Sequence, residues 1–224
     1  MKFLFRTVLL FAFFASLASC KQSTGEKAIV GEANEVVAKA KNSSTSYGVD
    51  LAASKVMWTG SKITGTHSGT ISLSSGNILS DNGKITGGEF VLDMNSLTNT
   101  DMKAGDGKED LEGHLKNEDF FDVPKYPTAK FVITKVTALE GDAAATHLVY
   151  GNLTMKDVTK EVGFKAKVSQ SGGMINVSTP KFAINRTDWG IKYGSSSFAD
   201  IAKDKAINND IDLAIKLSAK AQES

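Results

Sequence analysis

From Val162 to Val168 the side chains alternate without exception, with Val162, Phe164, Ala166 and Val168 set against Gly163, Lys165 and Lys167. A period of two puts the apolar set on one face of an extended strand, because successive side chains of a strand point to opposite sides. Ile211, Leu213, Ile215, Leu217 and Ala219 repeat the pattern against Asp212, Ala214, Lys216 and Ser218. Two strands that are dry on one side and wet on the other commit the chain to a sheet that must bury one face. Less regular alternation through Lys55–Ile63, Thr66–Leu73, Lys84–Met94, Ala129–Val136, His147–Met155 and Met174–Ile184 brings the number of expected strands to eight. Turn signals separate them, at Ser75-Gly76-Asn77, Asp81-Asn82-Gly83, Glu140-Gly141-Asp142 and Ser171-Gly172-Gly173. They suit hairpins between antiparallel neighbours. The expected fold is all-β, an extended antiparallel eight-stranded barrel.

One segment departs from this grammar. Asp106-Gly107-Lys108-Glu109 reads as a capping box, and Leu111 and Leu115 follow at helical spacing, which predicts a short helix over Lys108–Lys116. Phe120, Phe121, Pro124 and Pro127 come next. The whole insertion is long for a hairpin connection, and long connections often carry function. Leu111, His114, Leu115, Phe120 and Phe121 are therefore expected to form a lid over a barrel mouth.

The N-terminus has the order of an export signal, with Lys2 and Arg6 preceding the apolar run Val8–Leu17. The run is shorter than the ~20 apolar residues that span a bilayer. It ends in Leu17-Ala18-Ser19-Cys20, and Cys20 is the only cysteine of the 224 residues. That tetrapeptide resembles a bacterial lipobox, which implies cleavage before Cys20 and its lipidation. Residues 1–19 are then a signal peptide, and 20–46, rich in Lys, Glu, Ala, Ser and Thr, a lipid-anchored flexible linker. Residues 47–220 form the barrel domain. The location implied is the cell envelope, membrane-anchored and periplasmic or surface-facing.

Charge and motif content narrow the function classes. With 26 basic against 25 acidic residues, a net charge of +1 and no Lys/Arg-rich run, the chain carries no electrostatic footprint for nucleic acid. His67, His114 and His147 lie far apart, with no His-x-x-x-His pair for zinc. The acidic cluster Glu109, Asp110 and Glu112 beside His114 reads as a solvated helix face, so no metal site is expected. Gly-x-Ser-x-Gly, P-loop and dinucleotide fingerprints are all missing, and no enzyme activity is expected.

Longer motifs carry a family resemblance. Gly88-Glu89-Phe90-Val91-Leu92-Asp93-Met94-Asn95-Ser96-Leu97 is followed by Asp110-Leu111-Glu112-Gly113-His114-Leu115-Lys116-Asn117-Glu118-Asp119-Phe120-Phe121-Asp122-Val123-Pro124-Lys125-Tyr126-Pro127. Gly151-Asn152-Leu153-Thr154-Met155-Lys156-Asp157-Val158-Thr159-Lys160 and Arg186-Thr187-Asp188-Trp189-Gly190 come in the same order downstream. Together these resemble the YceI-like family, the lipocalin-like polyisoprenoid-binding proteins, over most of Tyr47–Lys220. The chain departs from the family pattern at Ser54–Lys62, at Asp157 and in the loop Tyr193–Asn209. The resemblance implies an apolar cavity that holds an isoprenoid lipid or quinone. An eight-stranded barrel is just wide enough for one slender ligand.

By alternation, the lining expected for such a cavity is Trp58, Phe90, Leu92, Phe131, Ile133, Val149, Leu153, Phe164 and Val168. Arg186, Asp188 and His114 are candidates for polar groups at its mouth. Three functional classes compete. The first is non-catalytic binding of an isoprenoid-type or other amphiphilic lipid; the second, a stress-related or adhesion-type interaction module with a closed core; the third, a quinone-linked redox accessory.

Overall fold

The computed structural model describes residues 23–36, 44–202 and 204–222. Their strands, in chain order, are β1 (Glu26–Lys27), β2 (Ile29–Glu32), β3 (Thr45–Val49), β4 (Lys55–Lys62), β5 (Gly65–Asp81), β6 (Lys84–Asn99), β7 (Thr128–Ala138), β8 (His147–Met155), β9 (Val158–Ser171), β10 (Met174–Ser178), β11 (Phe182–Asn185) and β12 (Asp210–Ala221). One helix, α1 (Lys108–Lys116), sits between β6 and β7, over the residues the sequence predicts. Neighbours pair in the antiparallel order β4-β5-β6-β7-β8-β9-β10-β12, and β12 returns to pair with β4. The sheet thus closes into a barrel of eight staves, and closure removes the exposed edges that an open sheet would present.

Two staves are broken. β3 and β4 form one stave interrupted at Asp50–Ser54, and together they face β5 on one side and β12 on the other. β10 and β11 form another, interrupted at Thr179-Pro180-Lys181. Proline has no N–H to offer a ladder, so the stave bends there. Above the break β10 pairs with β9; below it β11 keeps only β12 and leaves β9.

The seam so opened is filled by residues expected to be tether. β1 pairs in parallel with β11, and β2 pairs with β9 through Val30 opposite Val162. Ala28 and Val30 pack against the main core. The Asp212 carboxylate, 5% exposed, accepts hydrogen bonds from Ser23 Oγ (2.6 Å), Thr24 N (3.0 Å), Thr24 Oγ1 (3.1 Å) and Gly25 N (3.0 Å). Asn152 locks the far end, accepting from Asn34 N (2.9 Å) and donating to Asn34 O (2.6 Å). Residues 23–34 are therefore a strap of the barrel wall rather than a flexible linker, and Thr45–Val49 already belongs to a stave. Cys20, the export signal and residues 37–43 lie outside the described residues.

Two further expectations change. Ser75-Gly76-Asn77, taken as a turn, lies inside β5, which runs on for 17 residues by absorbing bulges near Thr70/Ser72, Leu73/Ser75 and Leu79/Ser80. The capping box is not formed either. Gly107, at φ 84°, is the N-cap of α1 without a side-chain cap, and Glu109 instead reaches back to accept from Gly105 N (3.1 Å).

The two ends of the barrel differ. At the hairpin end the staves are joined mostly by tight turns, Asn82-Gly83 between β5 and β6 and Gly172-Gly173 between β9 and β10, all at positive φ. At the other, the helix end, lie α1 with the loop to Pro127, a 3₁₀ turn at Arg186–Trp189 and the loop leading to β12.

Candidate functional site

An apolar cavity of about 80 Å³ lies in the hairpin-end half of the barrel. Thr179 is its one polar lining residue; the rest are Val, Leu, Ile and Phe. Of the nine residues expected there, Phe90, Leu92, Phe131, Ile133, Val149, Phe164 and Val168 line it. Trp58 and Leu153 do not. Alternation assigns a face correctly but not a height along the barrel axis, and both residues point inward nearer the helix end. Trp58 belongs to a second core cluster with Ile71, Met94, Leu97, Val123 and Ala129. Leu153 packs at the margin of the main core, and its carbonyl accepts from Trp189 Nε1 (3.0 Å).

Sequence reasoning missed Ile78 and Ile85, which line the cavity from the β5–β6 hairpin, as well as Ile215 and Leu217 from β12. Ile78 is hidden by the false turn in β5, and Ile85 by the bulge at Leu79/Ser80, which puts it on the face of Phe90 and Leu92 against strict alternation. The second pair was already on the apolar face of the Ile211–Ala219 alternation, so that signal was available.

A file of phenylalanines borders the cavity. Ring centroids are 6.5 Å apart for Phe90 and Phe131, 5.6 Å for Phe131 and Phe164, and 4.6 Å for Phe164 and Phe182, the last pair stacked at 7°. The Phe131 ring lies over Gly151, where an added Cβ would come within 2.3 Å of it. Glycine at 151 is thus what lets this ring lie back against the wall instead of filling the interior.

The segment expected to be a lid sits at the opposite end from the cavity. Leu115 and Phe121 pack on the Trp58 cluster and so help to plug the helix end. Glu112 ties α1 to β6 by accepting from Thr98 Oγ1 (2.7 Å) and Asn99 N (2.7 Å). The Thr98 hydrogen bond chiefly, aided by Asn99, outweighs desolvation and holds this carboxyl below its usual value. Phe120, buried, meets His114 edge-on at 5.0 Å and Tyr193 at 5.4 Å. Leu111 is half-buried on α1 and lines no part of the cavity.

Arg186 and Asp188 also lie at this end, away from the cavity. Arg186, 3% exposed, donates to the carbonyls of Asn208 (3.1 Å), Ile191 (2.8 Å) and Ile207 (3.2 Å). Burial lowers its pKa from the ordinary guanidinium value. Its fork staples the 190–209 loop to the 3₁₀ turn, which is a structural task. Asn185, not Asp188, caps that turn, accepting from Thr187 N (3.0 Å), and Gly190 ends it at φ 75°. Among the described residues no three His, Cys, Asp or Glu side chains converge as metal ligands would.

At the hairpin end a polar contact bridges the opening above the cavity. Gln170 Nε2 donates to Tyr47 Oη (2.8 Å), joining β9 to β3 across the opening. Two buried side-chain atoms have no hydrogen-bond partner among the described residues, Trp58 Nε1 and Ser80 Oγ.

Against this geometry stand three comparisons. A UPF0312 protein of Pseudomonas putida is 35% identical over 132 residues, an alignment that covers 55% of this chain and 63% of that protein. The chain thus spans somewhat under two thirds of that relative's length. The crystal structure of Burkholderia cenocepacia BcnA superimposes with a TM-score of 0.61 at 22% identity, covering 77% of this chain and 99% of that one. A polyisoprenoid binding domain from Saccharophagus degradans gives 0.56 at 19% identity, covering 79% and 98%. Both structural likenesses speak for the fold. The family model described as the YceI-like domain matches residues 47–219, from within β3 to near the end of β12, and the chain belongs to that family.

Proposed function

We propose that this protein holds an isoprenoid-type or other amphiphilic lipid inside its barrel and carries it without transforming it, in the cell envelope. The observation that carries the reading is a closed barrel with a cavity walled almost wholly by aliphatic and phenyl side chains. Such a space rewards an apolar chain and offers nothing to a charged or polar metabolite. The YceI-like fold supports it, as does the neighbour from Saccharophagus degradans, which is described as polyisoprenoid-binding.

The cavity volume sets a condition. About 80 Å³ is roughly half of an apolar cavity that admits benzene, ~150 Å³, so a long chain enters only if the Phe file turns aside. The same volume favours a second reading, in which the core stays closed and the protein works as an interaction module. Native mass spectrometry after gentle extraction separates them. A retained hydrophobic adduct is expected; a clean lipid-free mass, with no uptake of added prenyl lipid, supports the closed module.

Export and lipidation at Cys20 complete the proposal. Cys20→Ser is expected to move the protein from the membrane to the soluble fraction or leave it unprocessed. Normal processing with membrane retention would defeat this part.

A further inference from the structure

Ser80 Oγ is buried, the residue being 3% exposed, and it has no hydrogen-bond partner among the described residues. A hydroxyl left so costs ~1–3 kcal/mol, and an exception of this kind calls for an explanation. Its place supplies one. Ser80 stands directly opposite Ile85, a cavity-lining residue, so both side chains project to the inner face. Tyr47 stands opposite Ile78, also a lining residue, two positions before Ser80. Residues related in this way are diagonal neighbours, ~7–8 Å apart with their Cβ atoms somewhat closer. Tyr47, 7% exposed, accepts from Gln170, and no acceptor for its own phenol proton occurs among the described residues. The buried Ser80 hydroxyl and the Tyr47 phenol, the latter held by the exposed Gln170, therefore lie at the hairpin end of a space whose lining is apolar but for Thr179.

We propose that Tyr47, Ser80 and Gln170 form a head-group subsite for a neutral amphiphile, whose hydroxyl or carbonyl oxygen accepts from Tyr47 and Ser80 while its tail lies among the phenylalanines. This rests on the lipid-binding reading and adds the head group's chemistry and its position. The head is uncharged because none of the inward positions around this end, from Thr45, Tyr47 and Ser80 to Gln170 and Leu217, is Lys, Arg, Asp or Glu, and the ionisable side chain there, His147, is engaged by Thr146 Oγ1 at 2.8 Å. An ionised group placed there would lose hydration without gaining a counter-charge. It also follows that ligands enter at the hairpin end, past the Tyr47–Gln170 contact, and not beneath α1.

The test is a competitive loading. Full-length protein in detergent is offered an equimolar mixture of geranylgeraniol and the matching C20 hydrocarbon without the hydroxyl, and the bound ratio is measured by mass spectrometry after extraction. Relative to the Tyr47→Phe/Ser80→Ala double variant, the wild type is expected to enrich the alcohol about tenfold, the worth of one to two buried hydrogen bonds. Equal ratios in both proteins, with both lipids loaded, would overturn the subsite and leave the lipid-binding reading standing. If neither lipid loads into either protein, the lipid-binding reading itself fails. Ser80→Ala alone gives a second measure that needs no ligand. It removes an unpaired buried hydroxyl, so the lipid-free melting temperature should rise; a fall would show that the hydroxyl is satisfied and would overturn the proposal.

Discussion

The helix end and the hairpin end of this barrel are built from opposite materials. The helix end takes the longest connections of the chain and fills itself with them, through the Trp58 cluster, the Phe120–His114–Tyr193 contacts and the Arg186 staple. The hairpin end has mostly short turns, the Gln170–Tyr47 bridge across its opening and, beneath it, the cavity. Long loops are usually where binding is sought. Here the contrast teaches that a long insertion on a barrel can serve as the stopper, which makes the sparsely furnished end the proposed way in.

Removing the staple should break this contrast most severely. Arg186→Ala removes three hydrogen bonds to backbone carbonyls, one of them buried and two part-buried, and a loss of roughly 4 kcal/mol is expected from urea unfolding, with the 190–209 loop the first to exchange its amides. A loss under about 1 kcal/mol would mean that the helix end does not depend on it. Next comes Phe120→Ala, expected to cost roughly 3 kcal/mol while leaving the release rate of a bound fluorescent prenyl probe unchanged. Faster release at full stability would restore the lid that the sequence suggests.

Phe131→Ala should cost somewhat less, roughly 2 kcal/mol, because this ring already borders a void. It should also raise the uptake of apolar probes such as xenon, read by NMR shifts of the lining methyl groups. Unchanged uptake would show that the file does not limit the cavity.

The smallest effect concerns the strap. Burial alone would raise the pKa of Asp212, but the hydrogen bonds from Ser23, Thr24 and Gly25 outweigh it and hold the carboxyl below the usual range. A carboxyl depressed in the folded state stabilises above its unfolded pKa and loses that contribution as pH falls through the folded value. Acid should therefore release residues 23–32 before the barrel melts. Asp212→Asn should do the same at neutral pH, at a cost of about 1 kcal/mol, raising exchange at the amides of Glu26 and Ala28, which bond to Lys181 and Ala183. Equal protection in the variant would show that the seam holds without its clasp.

These features were legible to different degrees. Strand identity in β9 and β12 could be read outright, since period two has one structural meaning over so many residues. α1 was legible in position but not in its cap, because Gly107 takes the left-handed conformation that the box sequence does not predict. The strap was not legible. Only Ala28 and Val30 mark it as half-buried, and its partner edge exists because Pro180 interrupts a stave some 150 residues later. The cavity was legible as a face and illegible as a height, which is why seven of the nine residues expected there line it while Trp58 and Leu153 lie nearer the helix end.

The strap has one more consequence, for the order in which the molecule is assembled. Ser23 and Asp212 are 189 residues apart in sequence, and β2 needs β9 before it has an edge to join. The first described residues of the chain are thus among the last to find their place, and contacts of such span are entropically the slowest to form. Until the final stave is laid down the wall stays unsealed beside β9, which leaves the folding chain an interval in which its interior is open from the side before the barrel is shut.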